Sequence, residues 1–310
     1  MFIFEKITVG NSVDLHAGMQ IALVNMPLSN VDVKASFMGK PTLTRHRFSL
    51  LSELLNRLAK YKTKTGNRID LVVFPEVCIP HSWESMIVSW SRRHNVAVII
   101  GLEHRIDNGF AYNEVLAALP YKGPGGTSNC LPIRRLKKFY APDEVFELEN
   151  NFLEVPSADH VEFQLIQWRG ASFAIYNCYE LTSLEHRGIF KGKVDFIICT
   201  EFNRDVNYFS NIVESVARDV HCYVVQVNDS QFGDSRVIRP SSTLGMNPVR
   251  IKGGDNLTFL TTYLDLKALR EHQYQGYGLQ KGSLVFKATP PGFNPTDVRD
   301  RINLLNKSGL

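Results

Sequence analysis

Three segments of the 310-residue chain set a chemically capable side chain directly after an apolar, strand-like run. In the first, LVVF at residues 71–74 is closed by Pro75 and followed by Glu76. A carboxylate held there by rigid backbone, half out of water, has its pKa raised toward the range of a general base. On an exposed loop the same residue is only an ion-pair partner. In the second, AIYNCYELTSLEHRG, Cys178 stands between an apolar strand and a helical stretch. A helix N-terminus or a nearby cation lowers a thiol's pKa into the reactive range; the alternative is a cysteine acting as a small buried hydrophobe. That alternative is the reading for Cys78, Cys130, Cys199 and Cys222, although Cys199 shares the strand-end position. In the third, LPIRRLKKFYAPDE, Lys137 and Lys138 follow an extended run and precede Pro142 and Glu144. Alone, such a basic cluster reads as a solvated face.

The elements that must position these residues alternate along the chain. Strand-like runs fall at 20–24, 71–74, 96–100, 114–119, 195–199, 223–227 and 257–264, with a hairpin of 163–168 and 172–176 about Arg169-Gly170. Phe48, Leu51, Leu54, Leu55 and Leu58 share one helical face, and further helices are expected at 83–94, from about Leu181, and at 206–220. Continuous apolar strands imply sheets covered on both faces, an α/β arrangement that places its sites in loops at strand ends. No repeat, disordered linker, phosphate loop or dinucleotide fingerprint interrupts the pattern, so 1–310 is expected to be a single domain. Residues 289–310 would form a Pro-rich link (Pro290, Pro291, Pro295) and a C-terminal tail helix. Val298, Ile302 and Leu305 mark its apolar side, and it would cap its own core or pack on a partner subunit.

Composition narrows the function. A hydrophobic content of 44% with 21% charged residues is ordinary for a globular protein. Thirty-five Lys plus Arg against 31 Asp plus Glu leave a net charge of only +4, which argues against nucleic acid as the main partner. Five scattered cysteines without a CxxC pair argue against a disulfide framework or zinc ribbon and for a reducing compartment. The first eighteen residues include Glu5, Lys6, Asp14 and His16, so no apolar signal core is expected there. No apolar stretch approaches the ~20 residues that span a bilayer. The expectation is a cytoplasmic protein with no membrane association.

Taken in the order Glu76, Lys137/Lys138, Cys178, the three segments resemble the Glu-Lys-Cys triad of the nitrilase (carbon–nitrogen hydrolase) superfamily. The resemblance extends from about Ala17 to Leu266. Its FPE segment matches the glutamate motif, and Asn177-Cys178-Tyr179-Glu180 matches the cysteine motif. Arg187 and GKVDFII at 192–198 look like the arginine and the Gly-x-Asp strand that follow. VVQVNDSQFGDSRVIRPSS and TFLTTYLDL are similar to the closing segments. Lys137 is taken as the triad lysine because it places Glu144 as the supporting second glutamate. Lys138 would instead keep an apolar residue two before the lysine and Pro142 four after it. The frequent His after this lysine is absent; Phe139 and Tyr140 stand there.

The resemblance implies a four-layer α-β-β-α sandwich, a homo-oligomer, no metal or organic cofactor, and a small amide, carbamoyl or nitrile substrate. Cys178 would be the nucleophile and Glu76 the general base. The Lys137 ammonium and the Tyr179 N–H would stabilise the oxyanion, and the same ammonium would favour the Cys178 thiolate. Two rivals remain at this level. A cysteine peptidase would pair Cys178 with His186, or use His160 or His221. A non-catalytic effector module would keep the sandwich and bind a ligand, a reading suggested by the missing His and by Thr200, Glu201, Phe202, Asn203 and Arg204 after Cys199. Arg204, Arg236 and Arg239 are candidate carboxylate clamps.

Overall fold

A computed structural model of the chain describes residues 4–10 and 16–306, without the side chains of 304–306. Asp14 and the side chain of Leu305 therefore lie outside the described residues. Strand labels follow chain order. One sheet runs β1 (Phe4–Val9), β9 (Phe163–Trp168), β10 (Ala171–Asn177), β11 (Phe196–Glu201), β12 (Tyr223–Asn228), β13 (Ser235–Ile238) and β14 (Val249–Ile251). The other runs β15 (Thr258–Asp265), β2 (Gly18–Asn25), β3 (Leu71–Val73), β4 (Ala97–Gly101), β7 (Glu114–Lys122) and β8 (Ser128–Leu136). A small hairpin, β5 (Arg105–Asp107) and β6 (Phe110–Tyr112), pairs separately. Helices are α1 (Asn30–Phe37), α2 (Arg45–Lys60), α3 (Glu84–His94), α4 (Pro142–Asn150), α5 (Leu184–Gly188), α6 (Val206–Val216), α7 (Leu266–Tyr274), α8 (Tyr277–Gln280) and α9 (Pro295–Asn306).

Side-chain alternation sorts the core into layers, because successive residues of a strand point to opposite faces. Ile21, Leu23, Leu71, Val73, Ala97, Ile99, Val115 and Ala117 of one sheet share a cluster with Phe173, Ile175, Phe196, Ile198 and Val225 of the other. Their neighbours Ala22, Val24, Val72, Val98 and Leu116 face away and pack with Leu51, Leu54, Leu55 and Leu58 of α2 and Ile87 of α3. On the far side Ala174, Tyr176, Ile197 and Val224 pack with Phe209, Val213 and Val216 of α6. Both faces of each sheet are thus covered, which is why the strands read as unbroken apolar runs. The expected α-β-β-α sandwich is the observed fold, with both sheets mixed.

The differences lie in polar or short segments. The helix expected from Leu181 is instead a tight turn of 3₁₀ helix, Cys178–Thr182, followed by α5. The helix expected over 206–220 stops at Val216 and continues as a π turn, Ala217–His221, that leaves His221 at φ 57°. The tail helix α9 packs on α7 of its own chain, with Val298 fully buried. Its Arg301 joins Arg270 of α7 in clamping the buried Asp195 carboxylate at 2.5 and 2.6 Å. Burial opposes the Asp195 charge, but the two guanidinium groups more than compensate and hold the acid below its usual range.

Candidate active site

Glu76 owes its position to a close crossing of two strand ends. After β3, Pro75 accepts a hydrogen bond from the Gly101 N–H at 3.0 Å, and Cys78 donates to the Gly101 oxygen at 2.9 Å. A Cβ on Gly101 would lie 2.5 Å from Glu76 Cα and from the Val77 nitrogen, so only glycine permits this approach. Val77 then turns back at φ 51°. The Glu76 side chain, 3% exposed, accepts from Lys137 Nζ at 2.8 Å and Asn113 Nδ2 at 2.9 Å on Oε1. Its Oε2 accepts from the Phe202 N–H at 3.0 Å.

Lys137 follows β8, its N–H bonded to the Asn113 oxygen at 2.8 Å. Its ammonium bonds two carboxylates, Glu144 Oε2 at 2.5 Å as well as Glu76. Glu144 sits in the first turn of α4, where Pro142 starts the helix without wasting a donor. Asn113 joins the group together. Its Nδ2 donates to Glu76 and, at 2.6 Å, to Glu144 Oε1, while its Oδ1 accepts from Asn177 Nδ2 at 2.8 Å. Tyr140, replacing the residue type expected after the lysine, accepts the Asn113 N–H and donates to the Ala111 oxygen, both at 2.8 Å.

Cys178 stands at the end of β10 with φ 49°, a left-handed conformation that a non-glycine residue adopts at a cost. Neighbouring bonds hold it there. The preceding Asn177 donates its N–H to Glu180 Oε2 at 2.7 Å, and its Oδ1 accepts from Thr200 Oγ1 of β11 at 3.2 Å. Glu180, fully buried, is paired with Arg135 at 2.9 Å and also accepts the Lys138 N–H. The hairpin and β11 thereby present the sulfur at a sharp strand-to-helix turn, the kind of turn that carries the nucleophile in α/β-hydrolases.

The charges oppose one another. Burial works against the Lys137 ammonium, but Glu144, Glu76 and Cys178 outweigh it and hold the group protonated well beyond the usual range. Burial likewise works against the Glu144 carboxylate; Lys137 and the His104 hydrogen bond reverse that and bring it down to about 2. Burial raises the Cys178 thiol well above its ordinary value, Glu76 adds to this, and Lys137 only partly counters them. The lysine favours the thiolate as expected, and burial with Glu76 outweighs it. Glu201, buried at the end of β11, is pushed up to about 8, chiefly by desolvation.

Of the residues singled out in the sequence, Glu76, Lys137, Glu144 and Cys178 come together. Tyr179 follows in the first helical turn, where N–H groups have no intrahelical acceptor, and its side chain is 38% exposed. Lys138 points elsewhere: its Nζ donates to the oxygens of Ala158 and Val161 at 2.7 and 2.6 Å. His186 bonds Ser183 at 2.7 Å and packs on Phe139 and Phe163, His160 is exposed, and His221 bonds the Lys287 oxygen. Arg236 is committed to Glu214 and Ser210, Arg204 is exposed over the Phe232 ring, and Arg239 lines a cavity beside Tyr223 and Tyr263. A cavity of about 540 Å³ lies against Lys138, Tyr140 and Tyr179. Among the described residues no group of three or more His, Cys, Asp or Glu is arranged to hold a metal ion. Asn113, His104 and Glu201 took no part in the sequence reading as site residues of this kind. The available signal was a polar residue abutting an unbroken apolar strand: Asn113 just before β7, Glu201 closing β11.

No protein-family model and no curated protein matches the chain. Solved structures do. XC1258 from Xanthomonas campestris, a CN-hydrolase superfamily protein with an arsenic adduct in its active site, matches 87% of this chain and 98% of its own, with a TM-score of 0.59 at 18% identity. The fold is that of the CN-hydrolase, or nitrilase, superfamily. An amidase from Nesterenkonia sp. aligns over 87% of this chain and 98% of its own, with a TM-score of 0.57 at 15% identity. A glutamate-to-glutamine mutant of that amidase carries the acetamide moiety of fluoroacetamide on its active-site cysteine (15% identity, 86% and 97% covered, TM-score 0.55). On this nitrilase fold the buried Glu-Lys-Glu group and the cysteine turn stand at the ends of β3, β8 and β10 and in the first turn of α4.

Proposed function

We propose that the chain is a thiol hydrolase that cleaves a non-peptide C–N bond of a small amide through an acyl-enzyme on Cys178. The observation that carries this reading is the Lys137 ammonium bonded to both Glu76 at 2.8 Å and Glu144 at 2.5 Å, in one electrostatic cluster with the strained Cys178. Glu76 takes the thiol proton as sulfur attacks the carbonyl carbon, and returns it to the leaving amine as the C–N bond breaks. Water then enters, gives its proton to Glu76 and displaces the thiolate, which recovers the proton. Lys137 and the Tyr179 N–H stabilise the oxyanion of both tetrahedral intermediates, each donor accounting for about 10²–10³ in rate. A neutral resting thiol suits this cycle, because its proton is the one the leaving group needs.

Carbamoyl and nitrile substrates are accommodated by the same groups. A peptidase pairing is less well supported, since His186 is engaged with Ser183, Phe139 and Phe163. The homo-oligomer and the cytoplasmic setting belong to this proposal; among the described residues no helix is long and apolar enough to cross a membrane. The test is ammonia release over a panel of carboxamides, carbamoyl amino acids and nitriles. Release by the wild type and none by Cys178→Ala is expected. Equal release by both would overturn the reading.

A further inference from the structure

Behind Glu144 lies a second buried layer that the catalytic scheme leaves unused. His104, between β4 and β5, has a side chain only 1% exposed, and its Nε2 lies 3.2 Å from Glu144 Oε1. Its Nδ1 lies 2.8 Å from Ser36 Oγ in the last turn of α1, and the same hydroxyl accepts the His104 backbone N–H at 2.8 Å. The ring packs on Phe37 with centroids 4.8 Å apart.

The hydrogen bonds place a proton on Nε2. Ser36 has a single hydroxyl proton and already accepts one bond from the His104 backbone. With that proton donated to Nδ1, the ring carries its own proton on Nε2 and donates it to Glu144. Every donor then has an acceptor. The Glu144 carboxylate only accepts, so Nε2 carries a proton, and Ser36 Oγ, with two lone pairs, meets Nδ1 in either protonation state. Glu144 in turn has four partners. Asn113 and His104 approach Oε1; Lys137 and, at 3.4 Å, the Ala141 N–H approach Oε2. His104 is the only one of these anchored outside the α4 and β7–β8 region. Without it Oε1 keeps only the Asn113 contact and the carboxylate loses its one anchor outside that region, so its hold on the ammonium loosens.

Resting on the hydrolase reading above, we infer that Ser36 and His104 form a relay that orients Glu144 and, through it, Lys137, making His104 a positioning residue that donates its Nε2–H to Glu144. Losing such an outer hydrogen bond lowers turnover about ten- to a hundredfold.

The experiment has two arms, both on the full chain. In the first, ¹⁵N-histidine correlation spectra near pH 7, with His104 assigned by the peak lost in His104→Gln, report the protonation of Nε2 directly. The expected spectrum shows a protonated Nε2. An unprotonated Nε2 would overturn the relay whether or not the protein hydrolyses amides. In the second, His104→Phe keeps the stacking on Phe37 but offers no donor, whereas His104→Gln restores an N–H toward Glu144. A ten- to hundredfold loss of kcat in His104→Phe with KM changed less than twofold, and recovery in His104→Gln to within about fivefold of wild type, is expected. Equal kcat in His104→Phe and wild type, or losses in both variants that follow only their Tm, would show that the residue merely packs. If the wild type releases no ammonia from any amide while Nε2 is protonated, the hydrolase reading fails and the relay stands.

Discussion

Gly101→Ala perturbs the site from a residue that performs no chemistry. The added Cβ would fall 2.5 Å from Glu76 Cα and the Val77 nitrogen and 2.6 Å from the Glu76 carbonyl carbon, whereas ordinary contact begins at 3.4 Å. All three atoms are backbone, so no side-chain rotation relieves the clash. The Glu76 segment must withdraw by about 1 Å, the difference of 3.4 and 2.5 Å. A withdrawal of that size breaks the 2.8 Å contact with Lys137 and the 3.0 Å bond from the Phe202 N–H. A misplacement of about 1 Å costs on the order of 10² in rate, while overpacking costs about 1–3 kcal/mol of stability. Ammonia release and thermal unfolding of the same preparation separate the two effects. Gly188→Ala, with open space around the new methyl, serves as the control and should behave as wild type. If Gly101→Ala retained wild-type kcat, Glu76 would not need the placement described for it.

Asn113→Leu removes the donor shared by Glu76 and Glu144 and leaves Asn177 without its acceptor; kcat should fall about 10²-fold, with several degrees lost from Tm, and an unchanged kcat would deny the hub. Glu201 is pushed up to about 8 in the folded chain against an ordinary 4.5, so the folded form retains a proton that the unfolded chain releases. Its contribution to stability is complete below about pH 4.5 and is lost as the pH rises through 8; Glu201→Gln should flatten the fall of Tm between pH 5 and 9, and a steeper fall would refute the assignment. Glu144, brought down to about 2, contributes in the opposite sense, in full above about pH 4.5 and lost as the pH falls through 2. His186→Ala should leave ammonia release within about threefold of wild type, since its contacts are with Ser183, Phe139 and Phe163 and not with the cluster around Cys178; abolished release would revive the peptidase pairing.

The layered fold was legible in the sequence because covered parallel strands leave an unmistakable trace. Unbroken runs such as LVVF and FIICT are stable only when both faces are dry. Glu76 and Cys178 were legible because each closes such a run; Lys137, after the partly exposed SNCLPIRRL strand, was legible only from its place in order between them. What escaped was the network that orients them. Asn113, His104 and Ser36 come from three different strand or helix ends, and nothing in their local spacing records that the chain brings them together. The thiol's protonation escaped for a related reason. One lysine in the sequence suggests a thiolate, whereas burial together with Glu76 and Glu201 decides otherwise, and burial is a property of the packed molecule. The segments after Cys178 and Val216 are less regular than the helical spacing predicts, because left-handed residues such as Cys178 and His221 leave no sequence mark unless they are glycine.

The central claim is a bond between the Cys178 sulfur and the acyl carbon of an amide. Acid-quenching the wild type during turnover and measuring intact mass, followed by peptide mapping, tests it most directly. The account predicts an added acyl mass on the peptide containing Cys178, absent from Cys178→Ala together with ammonia release. Sustained ammonia release with no adduct on that peptide, and with the alanine variant still active, would contradict it.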